Sequence, residues 1–95
     1  MNVRHIVIQG RVQGVGFRAF VEDTAERLGL EGWVRNRRDG SVEAVFAGPE
    51  PALTQAVEAC GRGPRGAQVT KIDVSAGEGL LDQRQGGRFA VLPTA

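Results

Sequence analysis

The dipeptide Asp39-Gly40 lies between two stretches that both read as β-strands, and this arrangement limits the possible folds strongly. The first stretch runs from Leu30 to Arg37, and the second runs from Ser41 to Gly48. Asp-Gly between two such runs is a strong short-range signal of a hairpin. The two strands are therefore predicted to pair in an antiparallel manner.

The second of these strands alternates between an apolar and a mixed face. One face carries Val42, Ala44 and Phe46, and the other carries Ser41, Glu43 and Val45. An antiparallel sheet with this pattern is typically covered on one side and open to solvent on the other. We therefore expect the helices of the chain to pack on one face of the sheet only.

The remaining elements surround this hairpin on both sides. They are a strand from Val3 to Gln9, a helix from Phe17 ended by Gly29, a helix from Pro49 through Cys60 ended by Gly61, a strand from Gln68 to Ala76, and a short strand from Phe89 to Leu92. This order predicts an α+β fold of the ferredoxin-like type, a βαββαβ sandwich. We expect an antiparallel sheet with two helices on one face and a short extra C-terminal strand.

The overall composition fits one small domain that spans residues 1–95. A net charge of +1 gives no strong field for nucleic acid or an anionic membrane, and no apolar run reaches the roughly 20 residues that a membrane span needs. The single cysteine, Cys60, excludes an internal disulfide and any multi-cysteine metal site, and it is most simply a core residue. Together these features predict a cytoplasmic protein.

A glycine-rich stretch, QGRVQGVGFR from Gln9 to Arg18, joins the first predicted strand to the first helix. Its three glycines permit positive φ values and allow backbone N–H groups to converge on a ligand. Arg18 adds a planar cation, and the first turn of the helix holds no acidic residue that would compete for the positive end of the helix dipole. The stretch therefore predicts a cradle for a phosphate-like anion, although the glycines alone fit a tight turn equally well.

Residues Gly14 to Ala19 also match the dinucleotide-binding pattern GxGxxA. That pattern belongs to a parallel βαβ unit whose second strand ends in an acidic residue. Here the second strand reaches Asn36 and turns through Asp39-Gly40 into a hairpin instead. The surrounding sequence therefore argues against dinucleotide binding.

Asn36 is the second candidate site residue. Side chains alternate between the two faces of a strand, so Asn36 lies on the same face as Leu30 and Val34, where the helices are expected to pack. A side-chain amide on that face needs polar partners. In the predicted topology the end of this strand lies near the loop before the first helix, so Asn36 can face the cradle and hold a water molecule. An alternative role is that of a turn residue that leads into the hairpin.

The blocks GRVQGVGFR and GWVRNRRDGSVEAVFAG resemble the pattern of the acylphosphatase family. The resemblance implies hydrolysis of the carboxyl–phosphate bond of acyl phosphates without a metal or cofactor, with inorganic phosphate as product and competitive inhibitor. It implies that Arg18 and Asn36 are the catalytic residues. The implied phosphate-binding residues are Arg11, Val12, Gln13, Gly14, Val15, Gly16, Phe17 and Arg18. It also leads us to expect a monomer that acts on a small-molecule substrate.

Two other functions remain open from the sequence. Ferredoxin-like domains also serve as RNA-recognition or anion-binding modules, and a related domain can belong to a carbamoyl-phosphate-handling system. RNA binding is disfavoured because the phenylalanines Phe17, Phe20 and Phe46 fall on predicted core faces. Trp33 is the one aromatic residue that can be exposed on the open sheet face, but a lone aromatic residue is more often a packing residue. His5 is expected on that same face and is not expected to act in catalysis.

Two loops have no assigned role. Arg62 and Arg65 lie close together in the loop after the second helix. The Gly- and Gln-rich stretch from Gly77 to Arg88 is predicted to be mobile, with Leu80 and Leu81 as the residues that can attach it to the surface.

Overall fold

We describe residues 2–81 and 88–95 of a computed structural model of the chain. In chain order the elements are β1 (Asn2–Arg11), α1 (Phe17–Leu28), β2 (Glu31–Asn36), β3 (Val42–Gly48), α2 (Glu50–Arg62), β4 (Gln68–Ala76) and β5 (Phe89–Val91). The order βαββαβ with a short final strand confirms the ferredoxin-like fold. None of the described helices combines the length and apolarity needed to cross a membrane.

The five strands form one sheet in the order β4-β1-β3-β2-β5. β3 lies in the centre and pairs antiparallel with both β1 and β2, while β1 also pairs antiparallel with β4. The predicted hairpin is confirmed. β3 separates β1 from β2, so the strands on either side of α1 do not form the adjacent parallel pair that a dinucleotide-binding unit requires. The short β5 instead pairs in parallel with β2, so the sheet is mixed rather than purely antiparallel.

The main core lies between the sheet and the two helices. It includes Ile6, Ile8, Phe17, Val21, Val34, Val42, Ala44, Phe46, Leu53, Ala56 and Cys60, all of them buried. Cys60 belongs to this core as predicted, and its burial raises the pKa of the thiol to about 12.

The other face of the sheet carries a second, smaller core, which the sequence pattern did not predict. Trp33 and Val45 are completely buried there, and the partly buried Leu80 and Leu81 pack against their cluster. The indole Nε1 of Trp33 donates a hydrogen bond of 2.7 Å to the carbonyl oxygen of Leu80. The expectation of a sheet covered on one side only was therefore wrong, because the segment after β4 folds back over this face. Of the two readings of Trp33, packing and exposure, the structure shows packing.

That segment bears out one part of the prediction for Gly77 to Arg88. Leu80 and Leu81 do attach the chain to the surface of the sheet, as expected. Residues 82–87, on which the rest of that prediction falls, lie outside the described residues.

The helix ends follow local backbone preferences. α1 ends at Gly29, which has a φ of 70° and whose N–H caps the last turn, as predicted. α2 continues to Arg62, two residues beyond the predicted end, and its C-cap is Gly63 with a φ of 69°. Gly61 was therefore wrongly identified as the stop, because it lies inside the helix without a positive φ.

Candidate active site

The loop between β1 and α1 has the backbone that its glycines suggested. Gly14 and Gly16 have φ values of 76° and 79°, and nothing lies within 4 Å of where a Cβ would stand on either residue. Gly16 is the N-cap of α1, and the first helical hydrogen bond runs from Phe20 N to its carbonyl oxygen. Since the first turn has no acidic residue and no side-chain cap, its leading N–H groups are left to bind an external anion.

Gly10 has a different role from the other two glycines. It lies at an irregularity in the pairing of β1 with β4, where a Cβ would come within 2.1 Å of the carbonyl oxygen of Gln68. Its φ of 124° is also unfavourable for other residues. Gly10 therefore allows the two strands to approach each other, and it does not line the pocket described next.

A pocket of about 370 Å³ opens beside this loop. It is lined by Val12, Gln13, Gly14, Gly16, Phe17, Arg18, Ala19, Glu22, Asn36 and Val91. The two predicted catalytic residues, Arg18 on α1 and Asn36 at the end of β2, thus meet in one cavity. Within the described part of the chain, Arg18 takes part in no salt bridge, so its charge is available to a ligand.

The backbone around Asn36 holds it at the pocket. In the β2–β3 pair Asn36 lies opposite Val42, and it shares a sheet face with the buried Val34. Its carbonyl oxygen accepts a 3.0 Å hydrogen bond from Ala95 N, and Ala95 O in turn accepts one of 2.8 Å from Arg38 N. The last residues of the chain therefore continue the pairing along β2 and fix the strand end that carries Asn36.

Gln13 connects the loop to the hairpin. Its Nε2 donates hydrogen bonds of 2.7 Å to Arg37 O and 2.9 Å to Ser41 O. The family resemblance placed Gln13 among the phosphate-binding residues. The sequence did not indicate these two hydrogen bonds, since the acceptors lie 24 and 28 residues further along the chain.

Two of the predicted phosphate-binding residues, Arg11 and Val15, do not line the pocket. Arg11 ends β1, is exposed, and pairs with Gln68 of β4. Val15 is partly buried and packs against the main core. Their assignment to phosphate binding stays a prediction.

Three residues that line the pocket, Ala19, Glu22 and Val91, were not identified as site residues from the sequence. Glu22 follows Arg18 by four positions, a spacing that places both on one side of a helix, so this spacing was a usable signal. Val91 lies on β5, opposite Val34. No local pattern could have placed it here, because its position depends on the parallel pairing of a short terminal strand.

A polar cluster lies on the sheet face opposite the helices and away from the pocket. Glu43 is central to it: its Oε2 lies 2.7 Å from His5 Nε2, and its Oε1 accepts a 2.7 Å hydrogen bond from Arg35 Nε. The Arg35 guanidinium also lies 4.7 Å from the centre of the Trp33 ring. Burial opposes the charge of Glu43, but the hydrogen bonds and charges of His5 and Arg35 outweigh it and lower the pKa of Glu43.

Comparisons with a family model and with known proteins agree on the family of this chain. The sequence model of the acylphosphatase family matches residues 4–89. A protein of Rhodopseudomonas palustris (strain BisB18) described as an acylphosphatase is 58% identical over 94 residues, which cover 97% of this chain and 95% of that protein. This chain belongs to the acylphosphatase family.

Solved structures agree with the family assignment. The crystal structure of acylphosphatase from Bacillus subtilis matches with a TM-score of 0.86 and 43% identity, over 97% of this chain and 99% of that one. Full-length HypF, solved in its phosphate- and nucleotide-bound form, matches with a TM-score of 0.83 and 25% identity, over 98% of this chain but only 12% of HypF. The acylphosphatase fold thus also occurs as a small part of a much longer protein.

Proposed function

We propose that this acylphosphatase-family chain hydrolyses the carboxyl–phosphate bond of acyl phosphates in the pocket beside Gly14 and Gly16, with Arg18 and Asn36 as the catalytic residues. Membership of the family supplies the reaction, which yields a carboxylate and inorganic phosphate. The observation that carries the proposed site is that Arg18 and Asn36, from different elements, line one cavity with the two glycines.

The phosphoryl group binds at the start of α1 in this proposal. Backbone N–H groups of the loop from Arg11 to Arg18 hold its oxygens, assisted by the positive end of the helix dipole. The Arg18 guanidinium donates to two phosphoryl oxygens through its planar fork, which a lysine cannot reproduce. Positioning and charge stabilisation of this kind supply most of the catalysis in phosphoryl transfer.

Asn36 orients the attacking water through its side-chain amide. The water oxygen forms a bond to phosphorus while the bond to the carboxylate oxygen breaks, and the proton of the water passes to the phosphate. The conjugate acid of the leaving carboxylate has a pKa of about 4 to 5, as Asp and Glu do, so the leaving group needs no general acid. The reaction that we propose therefore needs neither a metal nor a cofactor.

The proposal also includes the domain organisation, the oligomeric state, the location and the partners of the chain. We expect residues 1–95 to form one domain that acts as a monomer in the cytoplasm on a small-molecule substrate. The net charge of +1 and the burial of Trp33 give no support to nucleic-acid binding or to attachment to a membrane surface.

Benzoyl phosphate hydrolysis in the presence of a chelator tests the function directly. We expect turnover that the chelator does not reduce and that inorganic phosphate inhibits competitively, because product and substrate share the phosphate cradle. An anion-binding or RNA-binding module would show no turnover. Turnover that the chelator abolishes would contradict the proposed metal-free reaction.

A further inference from the structure

Glu22 lies in the proposed pocket although its charge is wrong for an anion site. Of the described residues that line the pocket, Arg18 and Glu22 are the charged ones. Bound phosphate is itself an anion, so a carboxylate nearby lowers its affinity. A favourable contact between that carboxylate and another part of the substrate would offset this cost. The binding of the phosphoryl group alone therefore does not explain why a carboxylate lies in this pocket.

Among the described residues, the carboxylate of Glu22 has no hydrogen-bonded partner. Within the described ranges 2–81 and 88–95, no salt bridge or side-chain hydrogen bond includes it. It is partly buried, unlike Asp23, the next residue on α1, whose exposed carboxylate accepts a 2.9 Å bond from Arg27. Within the part of the chain that the structure describes, Glu22 is thus an unpaired carboxylate that lines a cavity.

The position of Glu22 along α1 separates it from the phosphoryl end of the pocket. Four residues of α-helix rise about 6 Å, so Glu22 lies roughly one turn beyond Arg18. That distance is comparable to the length of an aromatic acyl group. Ala19 and the 43% exposed Val91 also line the pocket and add apolar surface outside the loop.

We propose that Glu22, with Ala19 and Val91, forms the subsite for the acyl group and selects acyl phosphates that carry an ammonium or N–H donor on an apolar body. The inference rests on the proposed function, because it assumes that the phosphoryl group binds beside Gly14 and Gly16. A second carboxylate on the acyl group is repelled by Glu22. Acyl phosphates derived from dicarboxylic acids are therefore poor substrates.

A series of benzoyl phosphates that differ in the charge of the para substituent tests this subsite. The compounds are 4-(aminomethyl)benzoyl, unsubstituted benzoyl and 4-carboxybenzoyl phosphate, assayed for kcat/KM with the unaltered chain and with Glu22→Gln. A partly exposed charge pair contributes up to about 1 kcal/mol, or about a fivefold change in kcat/KM. We expect Glu22→Gln to lower kcat/KM about fivefold for the cationic compound and to raise it by a similar factor for the anionic one.

Glu26→Gln is the matched control, because it removes the same charge one turn further along α1, where Glu26 lines a different cavity with Leu30 and Phe89. It should leave the ratio of kcat/KM between cationic and anionic compounds as in the unaltered chain. If Glu22→Gln leaves the ratio of kcat/KM between the cationic and the anionic compound unchanged, the subsite is overturned. This includes an equal loss of kcat/KM for all three compounds, which would indicate a role of Glu22 in the reaction itself. Absence of turnover with all three compounds in the unaltered chain would instead contradict the proposed function.

Discussion

Gln13 and Arg37 are joined by a hydrogen bond of 2.7 Å in which Gln13 Nε2 donates to the carbonyl oxygen of Arg37. The same nitrogen donates to Ser41 O at 2.9 Å. Gln13 belongs to the loop that is proposed to hold the phosphoryl group, and Arg37 directly follows Asn36. These two bonds therefore connect the two parts of the proposed site, and we expect them to fix the position of the loop relative to Asn36.

Gln13→Ala is expected to lower kcat for benzoyl phosphate on the order of tenfold, because loss of two hydrogen bonds allows the loop and the strand end to move apart. Gln13→Glu should lower kcat further, since a carboxylate cannot donate to two carbonyl oxygens. Steady-state kinetics measures both effects. Gln55→Ala, which alters an exposed glutamine on α2, should retain full activity; an unchanged kcat in Gln13→Ala would contradict the positioning role.

Asn36→Ala should reduce kcat by a factor of roughly 10² to 10³, in line with the loss of one positioned polar group that acts in the transition state. The affinity for inorganic phosphate should change much less, because the loop and Arg18 remain. Measurement of kcat together with the inhibition constant of phosphate separates the two effects. A loss confined to affinity would rule out the water-orienting role.

Glu43 makes stability depend on acid pH. Its pKa in the folded state lies below the ordinary value of 4.5, so as the pH falls the unfolded chain takes up a proton before the folded chain does. The stability that Glu43 contributes is therefore present above pH 4.5 and is lost as the pH falls through its lowered pKa. Denaturant unfolding between pH 7 and pH 3 should show a steeper decline for the unaltered chain than for Glu43→Gln; parallel curves would refute this.

Gly10→Ala should destabilise the fold by at least about 2 kcal/mol, because its Cβ would collide with Gln68 O and its φ is positive. Gly61→Ala is the matched control. Gly61 lies within α2 and has open space around its Cβ position, so alanine should stabilise the chain by about 0.5 to 1 kcal/mol. Denaturant unfolding measures both. Equal effects of the two substitutions would contradict the close approach of β1 and β4.

Features set by neighbouring residues could be predicted from the sequence. The hairpin at Asp39-Gly40, the end of α1 at Gly29 and the meeting of Arg18 with Asn36 each follow from local turn chemistry combined with the βαββαβ order. The burial of Trp33 could not be predicted this way. It depends on the segment near Leu80, 47 residues further along the chain.

The same limit applies to the parallel pairing of β5 and to the contact of Gln13 with the hairpin. A strand of three residues carries too little pattern to reveal its direction or its partner. A glutamine amide in a loop has many possible acceptors. Such contacts are determined by tertiary packing and not by local sequence.

Hydrolysis of benzoyl phosphate by Arg18→Ala and Arg18→Lys tests the central claim most directly. Arg18→Ala should abolish nearly all turnover and weaken binding of inorganic phosphate, while the stability of the fold should be retained because Arg18 forms no salt bridge within the described residues. Arg18→Lys should remain poor, since a point charge cannot replace the planar fork. Near-normal hydrolysis by a folded Arg18→Ala protein would contradict the assignment of this pocket as the active site.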